Sequence, residues 1–465
     1  MKFLTNRRIP GRASHEFALS YWSAPMTSSA FTAIFLGFTA LSFAFSLWLS
    51  VRHMRHVNVN RTAVPVEFAD VIPLDAHQRA AAYTLDKQGL GLAEEVFNTG
   101  LLLWLTIGGG LAWLFAETNL LFASDYANGL AFVAALAVVS GALGLPFDLY
   151  RTFGVEARHG FNKTTVRTYI TDALKGWAIM AAIGTPLLLA TFWLMAKMGT
   201  LWWLYVWLVW TGFSLLMITV YPTFIAPLFN QFKPLDDDSL RARIEALLNK
   251  CGFHAKGLFV MDGSKRSSHG NAYFTGLGRS KKIVFFDTLM ARLSVEEIEA
   301  VLAHELGHFK RRHIVKRLAA MFASSFVMLA LMGWVIDKPW FYEGLGMPMA
   351  MTTAMTTAMT TAMTTAMASG VAPVAVSLVL FFTVLPVFTF WMTPLSSLVS
   401  RKHEFEADAY AAEQTDSRDL ISALVKLYRD NASTLTPDPL HSAVYDSHPP
   451  ASIRIAHLKS LATSS

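Results

Sequence analysis

Apolar residues recur along this chain in long stretches separated by short polar segments. A helix needs about 20 such residues to cross a bilayer, and seven stretches reach that length: 28–51, 96–117, 128–149, 173–196, 200–224, 314–336 and 371–398. The first stretch is expected to stay in the protein. Its apolar core is too long for a cleavable signal, and no small-residue cleavage site follows it. An odd number of spans places the two termini on opposite sides of the membrane.

The pattern changes in two places. Segment 225–312 is polar and reads as a small folded unit: "DDDSLRARIEALLNKCGF" is an amphipathic helix, and "KGLFVMDGS" and "KKIVFFDTLM" have the β-branched and aromatic bias of strands. "SSHGNAYFTGLG" lies between the two strands. In "SVEEIEAVLAHELGHFKRRH", Ser294 followed by Glu297 is a capping box, so a helix starts at Ser294; Val295, Ile298, Val301 and Leu302 share one side of it. The second polar segment, 399–465, opens with "SRKHEFEADAYAAE", rich in helix formers. The predicted fold is thus mostly α, a seven-span helical membrane protein with a small α+β domain. Its parts are a membrane region at 1–224, the polar domain at 225–313, spans six and seven at 314–398, and a C-terminal segment at 399–465.

Composition agrees with a membrane chain. Of 465 residues 53% are hydrophobic and 15% charged, with mean hydropathy +0.39, against about 25% charged in soluble domains. A single cysteine, Cys251, excludes an intramolecular disulfide framework. The net charge of +6 does not argue for nucleic acid, because membrane proteins gather lysine and arginine in cytoplasmic loops. Here Arg52, Arg55, Arg61, Arg79 and Lys87 follow span one, and Arg151, Arg158, Lys163 and Arg167 follow span three. The opposite side has Lys197 and Lys338 only. The bias puts 225–312 and the C-terminus in the cytoplasm; Lys2, Arg7, Arg8 and Arg12 pull the other way. Loop 337–370 contains "MTTAMTTAMTTAMTTAM" at 351–367, a low-complexity linker with no assigned role.

The chemistry concentrates in "VLAHELGHFKRRH", 301–313. Residues four apart on a helix share a face, so His304 and His308 can direct both imidazoles at one zinc ion, with Glu305 placed to act as general base. A catalytic zinc site needs a third protein ligand and an open position. Without thiols that ligand is a carboxylate or histidine, and His403, Glu404, Glu406 and Asp408 are the candidates. Glu404 and Asp408 share a face, which lets one ligate while the other holds a zinc histidine. Glu406 points away and reads as a solvated helix residue. His269 and His313 read as loop and membrane-edge residues.

"HELGH", "HEFEADAY", "SSHGNAYFTG", "HGFNKTT" and "SHPPASIRI" occur in one order from about 55 to 460. Together they resemble the CAAX prenyl endopeptidase family, integral-membrane zinc metalloproteases of the gluzincin type with seven spans around a water-filled chamber. The resemblance implies one zinc ion held by His304, His308 and Glu404, with Glu305 as base and acid and Asp408 holding His304. It implies that Asn271 and Ala272 belong to an edge strand pairing with substrate backbone, and that His448 and Arg454 stabilise the oxyanion. Loop 156–165 matches a family loop and receives no role. The 351–367 repeat departs from the family pattern, and "ATSS" carries no retention signal.

The expected function is hydrolysis of peptide bonds at the membrane surface, in CAAX-type processing or membrane protein quality control. The expected partners are a peptide or protein substrate, prenylated or not, and the lipid bilayer. The active site would face the cytoplasm of a bacterial inner membrane or an endoplasmic reticulum. Three competitors differ in kind. An intramembrane protease would embed its motif in a span, whereas "HFKRRH" sets charge directly after it. A non-catalytic membrane scaffold held by structural zinc would favour a closed, thiolate-rich site. A transporter would rest on the seven spans alone, with no intramembrane charge pair to support it.

Overall fold

The computed structural model describes residues 26–119, 121–275, 281–347 and 371–462, with backbone alone at 371–373. The 351–367 repeat lies outside the described residues. Helices form wherever the long apolar runs were read: α1 (Ser28–Asn60), α2 (Leu74–Leu105), α3 (Gly110–Thr118), α4 (Asp125–Leu149), α5 (Val166–Lys197) and α6 (Trp202–Val220). Among the described residues six helical stretches are long and apolar enough to span a membrane, or seven if α2 and α3, bent by 59° at their break, count as one. The break falls in "IGGG", where Gly109 takes φ 77°, a conformation open to glycine without a Cβ penalty.

The spans touch along narrow seams. Only 6% of the apolar window is buried for Asp125–Glu156 and for Gly199–Phe229. One apolar core, with Phe35, Phe132, Phe192, Leu345 and Leu380, ties the shell together. Where the third span passes into the following loop, Arg151 pairs with Glu94 and, at 3.0 Å, with Asp148.

The polar segments carry α7 (Asp238–Lys250), α8 (Val295–Lys310), α11 (Thr393–Gln414), α12 (Ser417–Asp430), α13 (Pro439–Tyr445) and α14 (Ala451–Ala462), with spans α9 (His313–Val335) and α10 (Val371–Thr389) inserted between them. Their four strands are β1 (Phe232–Pro234), β2 (Gly257–Met261), β3 (Ala272–Thr275) and β4 (Lys282–Phe286), ordered β1-β2-β4-β3. β2 and β4 are parallel and the other pairs antiparallel, which leaves β3 on an edge. Ile244, Ile283, Phe285, Leu302 and Ala303 from the first segment form one core with Ala411, Leu420 and Leu458 from the second. At about 1.5–3 kcal/mol for each large buried side chain, this shared core holds together segments far apart in sequence.

Two junctions position the site. α8 passes into the span α9 with two residues between them, and α10 runs through a short 3-10 turn into α11. Both histidine- and carboxylate-bearing helices are therefore anchored directly on membrane spans. The sequence sets the segment 400–413 directly after the last span; it does not show that α11 already begins at Thr393, inside the stretch read as that span.

Candidate active site

Ser294 caps α8 as read: its side chain accepts from the Glu297 amide, and Glu297 in turn accepts from the Ser294 amide. Glu297 also receives Lys426 Nζ at 2.8 Å and Ser422 Oγ at 2.6 Å, fixing α8 to α12. Burial raises the Glu297 carboxyl pKa, but these donors outweigh it and hold the group below its ordinary value. The start and direction of α8 are thereby set, and with them the azimuth of His304 and His308.

α8 lies against α11 at unusually short range. A Cβ added to Gly307 would stand 2.8 Å from Ala407 Cα, so the glycine of "HELGH" permits the approach. Across this contact His304 Nε2 and His308 Nε2 are 3.2 Å apart. Glu404 Oε2 is 3.4 Å from the first and Glu404 Oε1 3.3 Å from the second. In a tetrahedral zinc site with donor distances of about 2.0–2.1 Å, donor atoms stand roughly 3.3–3.5 Å from one another. Glu404 Oε2 is buried and makes no hydrogen bond. Two imidazoles, one carboxylate and an unsatisfied buried oxygen fit a zinc ion. They form the one group of this kind among the described residues.

The surroundings hold this arrangement. Asp408 Oδ1 is 2.7 Å from His304 Nδ1, and Arg454 donates to both Asp408 oxygens at 2.8 and 2.5 Å. Arg454 Nη1 is 3.7 Å from Glu404 Oε2. Nε and Nη2 of Arg454 are thus taken up by Asp408 behind the site, while the residue also lines the cavity in front. Burial disfavours charge on His304, yet hydrogen bonds to Asp408 and Glu404 prevail and raise its pKa to about 9. His448 Nε2 lies 3.6 Å from Glu404 Oε1, and its side chain is 60% exposed.

A cavity of about 140 Å³ opens over this group. Glu305, His448 and Arg454 line it together with Gly270, Asn271 and Ala272 at the start of the edge strand β3. Leu289, Val301, Leu420, Leu424 and Leu427 supply an apolar wall. The Asn271 carbonyl already accepts from the Phe286 amide, and its side chain from the Ala272 amide. Asn431 steadies the approach to the strand, accepting from the Gly270 amide at 3.2 Å.

Loop 156–165 also has a place. Asn162 forms a β-bridge with Ser267, the Lys163 amide donates to Arg266 O, and Phe161 stacks on His269 at 4.3 Å. The loop after the third span therefore clasps the segment leading into β3.

Two residues read as bland in sequence, His313 and Glu406, are otherwise in the structure. His313 is buried and sits between His308 and Glu406, with 2.9 Å on either side. Glu406 is thus bound to His313 and not merely solvated. His403 stands outside the ligand group and stacks on His313 at 3.9 Å. Positions 93 residues apart leave no sequence signal for such a contact.

Comparisons with known proteins bear on both halves. "CAAX prenyl protease N-terminal, five membrane helices" matches residues 53–231, and "Peptidase family M48" matches 234–462. The CAAX prenyl protease 1 homolog of Arabidopsis thaliana is 34% identical, over 89% of this chain and 94% of that one. CAAX prenyl protease 1 of Saccharomyces cerevisiae is 33% identical, over 91% and 94%. The crystal structure of S. mikatae Ste24p superposes with TM-score 0.81 at 30% identity, covering 92% of this chain and 99% of that one.

Proposed function

The chain belongs to the CAAX prenyl protease family of M48 peptidases and is an integral-membrane metalloendopeptidase, and on that premise we propose that His304, His308 and Glu404 hold one zinc ion beside which Glu305 moves the protons of peptide hydrolysis. The observation carrying this reading is the convergence of the two Nε2 atoms and the Glu404 carboxylate at 3.2–3.4 Å under a cavity lined by Glu305.

When bound, zinc supplies the Lewis acidity that polarises a scissile carbonyl and makes water acidic near neutral pH. The chain's own groups do the rest. An extended substrate lies along β3, aligned by Asn271 and Ala272, with an aliphatic side chain against Leu420, Leu424 and Val301. Glu305 takes a proton from the attacking water and delivers it to the leaving amine. His448, exposed on the cavity side, and Arg454 meet the negative charge developing on the carbonyl oxygen. Asp408 keeps His304 in the tautomer that leaves Nε2 unprotonated.

Substrates are proteins or peptides with prenylated CAAX-type C-termini; the support is the names of the relatives and an apolar shell next to the cavity. The site faces the cytoplasm, supported by the lysine and arginine bias. A non-catalytic scaffold is not favoured: the site lacks thiols, and the Glu305 side chain stands at its open side.

The test is turnover of a farnesylated peptide by the full-length protein in detergent or liposomes. Glu305→Gln should retain zinc and lose at least a hundredfold in kcat, as removal of a general base typically costs about 10²–10⁴. A chelator should abolish wild-type activity and zinc restore it. An active Glu305→Gln protein would overturn the assignment.

A further inference from the structure

α8 ends at Lys310 and α9 begins at His313, and Arg312 between them has φ 57° and ψ 32°. A non-glycine residue enters this left-handed region at a cost of roughly 1–2 kcal/mol. The tight turn sets the His313 ring beside that of His308, with Nδ1 2.9 Å from Nδ1. His313 Nε2 is 2.9 Å from Glu406 Oε2. The His313 side chain is 1% exposed, and His403 stacks on it with ring planes 15° apart.

Protons can be placed on this chain in one way that serves a metal. His308 directs Nε2 at His304 and Glu404, so as a ligand it needs a lone pair there and carries its hydrogen on Nδ1. That hydrogen is donated to His313 Nδ1, which must be unprotonated. The His313 hydrogen is then on Nε2 and is donated to Glu406, which Lys316 at 3.8 Å helps keep charged. The opposite tautomer of His308 would direct an N–H into the ligand group.

Resting on the metal-site reading above, we propose that His313, oriented by Glu406, is the positioning residue for the second metal histidine. His304 rests directly on a carboxylate, Asp408, whereas His308 rests on a neutral imidazole that is itself anchored to a carboxylate. The two ligands of one helix are thus both held from α11, by residues 408 and 406, two positions apart. Such partners, when removed, typically cost about 10–100-fold in metal affinity.

The experiment measures Zn2+ affinity by chelator competition, and the visible spectrum of the Co2+ form, on the full-length protein in detergent. His313→Phe keeps the ring but removes the acceptor; it should weaken Zn2+ binding about 10–100-fold and alter the Co2+ bands. His313→Gln, whose amide oxygen can accept from His308, should recover most of the loss. Glu406→Leu should act in the same direction and Glu406→Gln should not. If His313→Phe fails to accumulate, the Glu406 pair, at a partly exposed position, decides alone. His308→Ala serves as the reference. Loss of Zn2+ in His308→Ala with wild-type affinity in His313→Phe and Glu406→Leu would overturn this proposal alone. Unchanged affinity in His308→Ala would overturn the metal site and this proposal together.

Discussion

His304 is buried against Glu404 and Asp408 while the next residue, Glu305, lines the cavity, so adjacent positions of one helix divide metal binding from proton transfer. With its pKa raised to about 9, His304 holds a proton at neutral pH whenever no metal is bound. Zinc must displace that proton. Affinity should therefore rise as pH climbs from about 7 and flatten above about 9, with roughly one proton released per ion near pH 7. Calorimetry in buffers of different ionisation heat measures this directly. Affinity independent of pH across that window would contradict the placement of Asp408 and Glu404 beside His304. Arg454 is legible only in part from sequence: its resemblance-based role concerns the substrate side, whereas its hydrogen bonds go to Asp408. His313 was not legible at all, because its partners lie across a strained turn and on another helix.

At the scale of elements, the site depends on how closely α8 and α11 approach. Gly307→Ala brings a methyl within 2.8 Å of Ala407 Cα and 3.0 Å of its carbonyl, and backbone cannot yield as a side chain can. We expect a loss of about 1–3 kcal/mol from overpacking, seen as a lower thermal midpoint, together with weaker zinc binding as Glu404 moves from the histidines. Gly89→Ala on α2, with nothing within 4 Å of its new methyl, should be neutral or slightly stabilising. Equal behaviour of the two variants would refute the close-approach argument. The start of α8 and the shared face of His304 and His308 were readable because capping and i,i+4 spacing are local. The strand order β1-β2-β4-β3, the break after Leu105 and the run of α10 into α11 were not, since tertiary contacts decide them.

For the whole molecule, two distant polar segments build one domain on a sparsely packed membrane shell, and loop 156–165 fastens the shell to the approach of β3. In the proposed topology, argued from the lysine and arginine bias, that domain lies in the cytoplasm. Arg418 is 86% exposed in its side chain and the native Cys251 is buried, so Arg418→Cys offers one accessible thiol. A membrane-impermeant maleimide should label it in intact cells only after permeabilisation. Labelling from outside would invert the topology.

The proposed chemistry needs a metal held by residues from α8 and α11. X-ray absorption at the zinc edge of the intact purified protein tests it most directly. It should find one zinc per chain with two imidazole nitrogens at about 2.0–2.1 Å and carboxylate oxygen completing the protein ligands. No bound zinc, or a sulfur neighbour from Cys251, would contradict it.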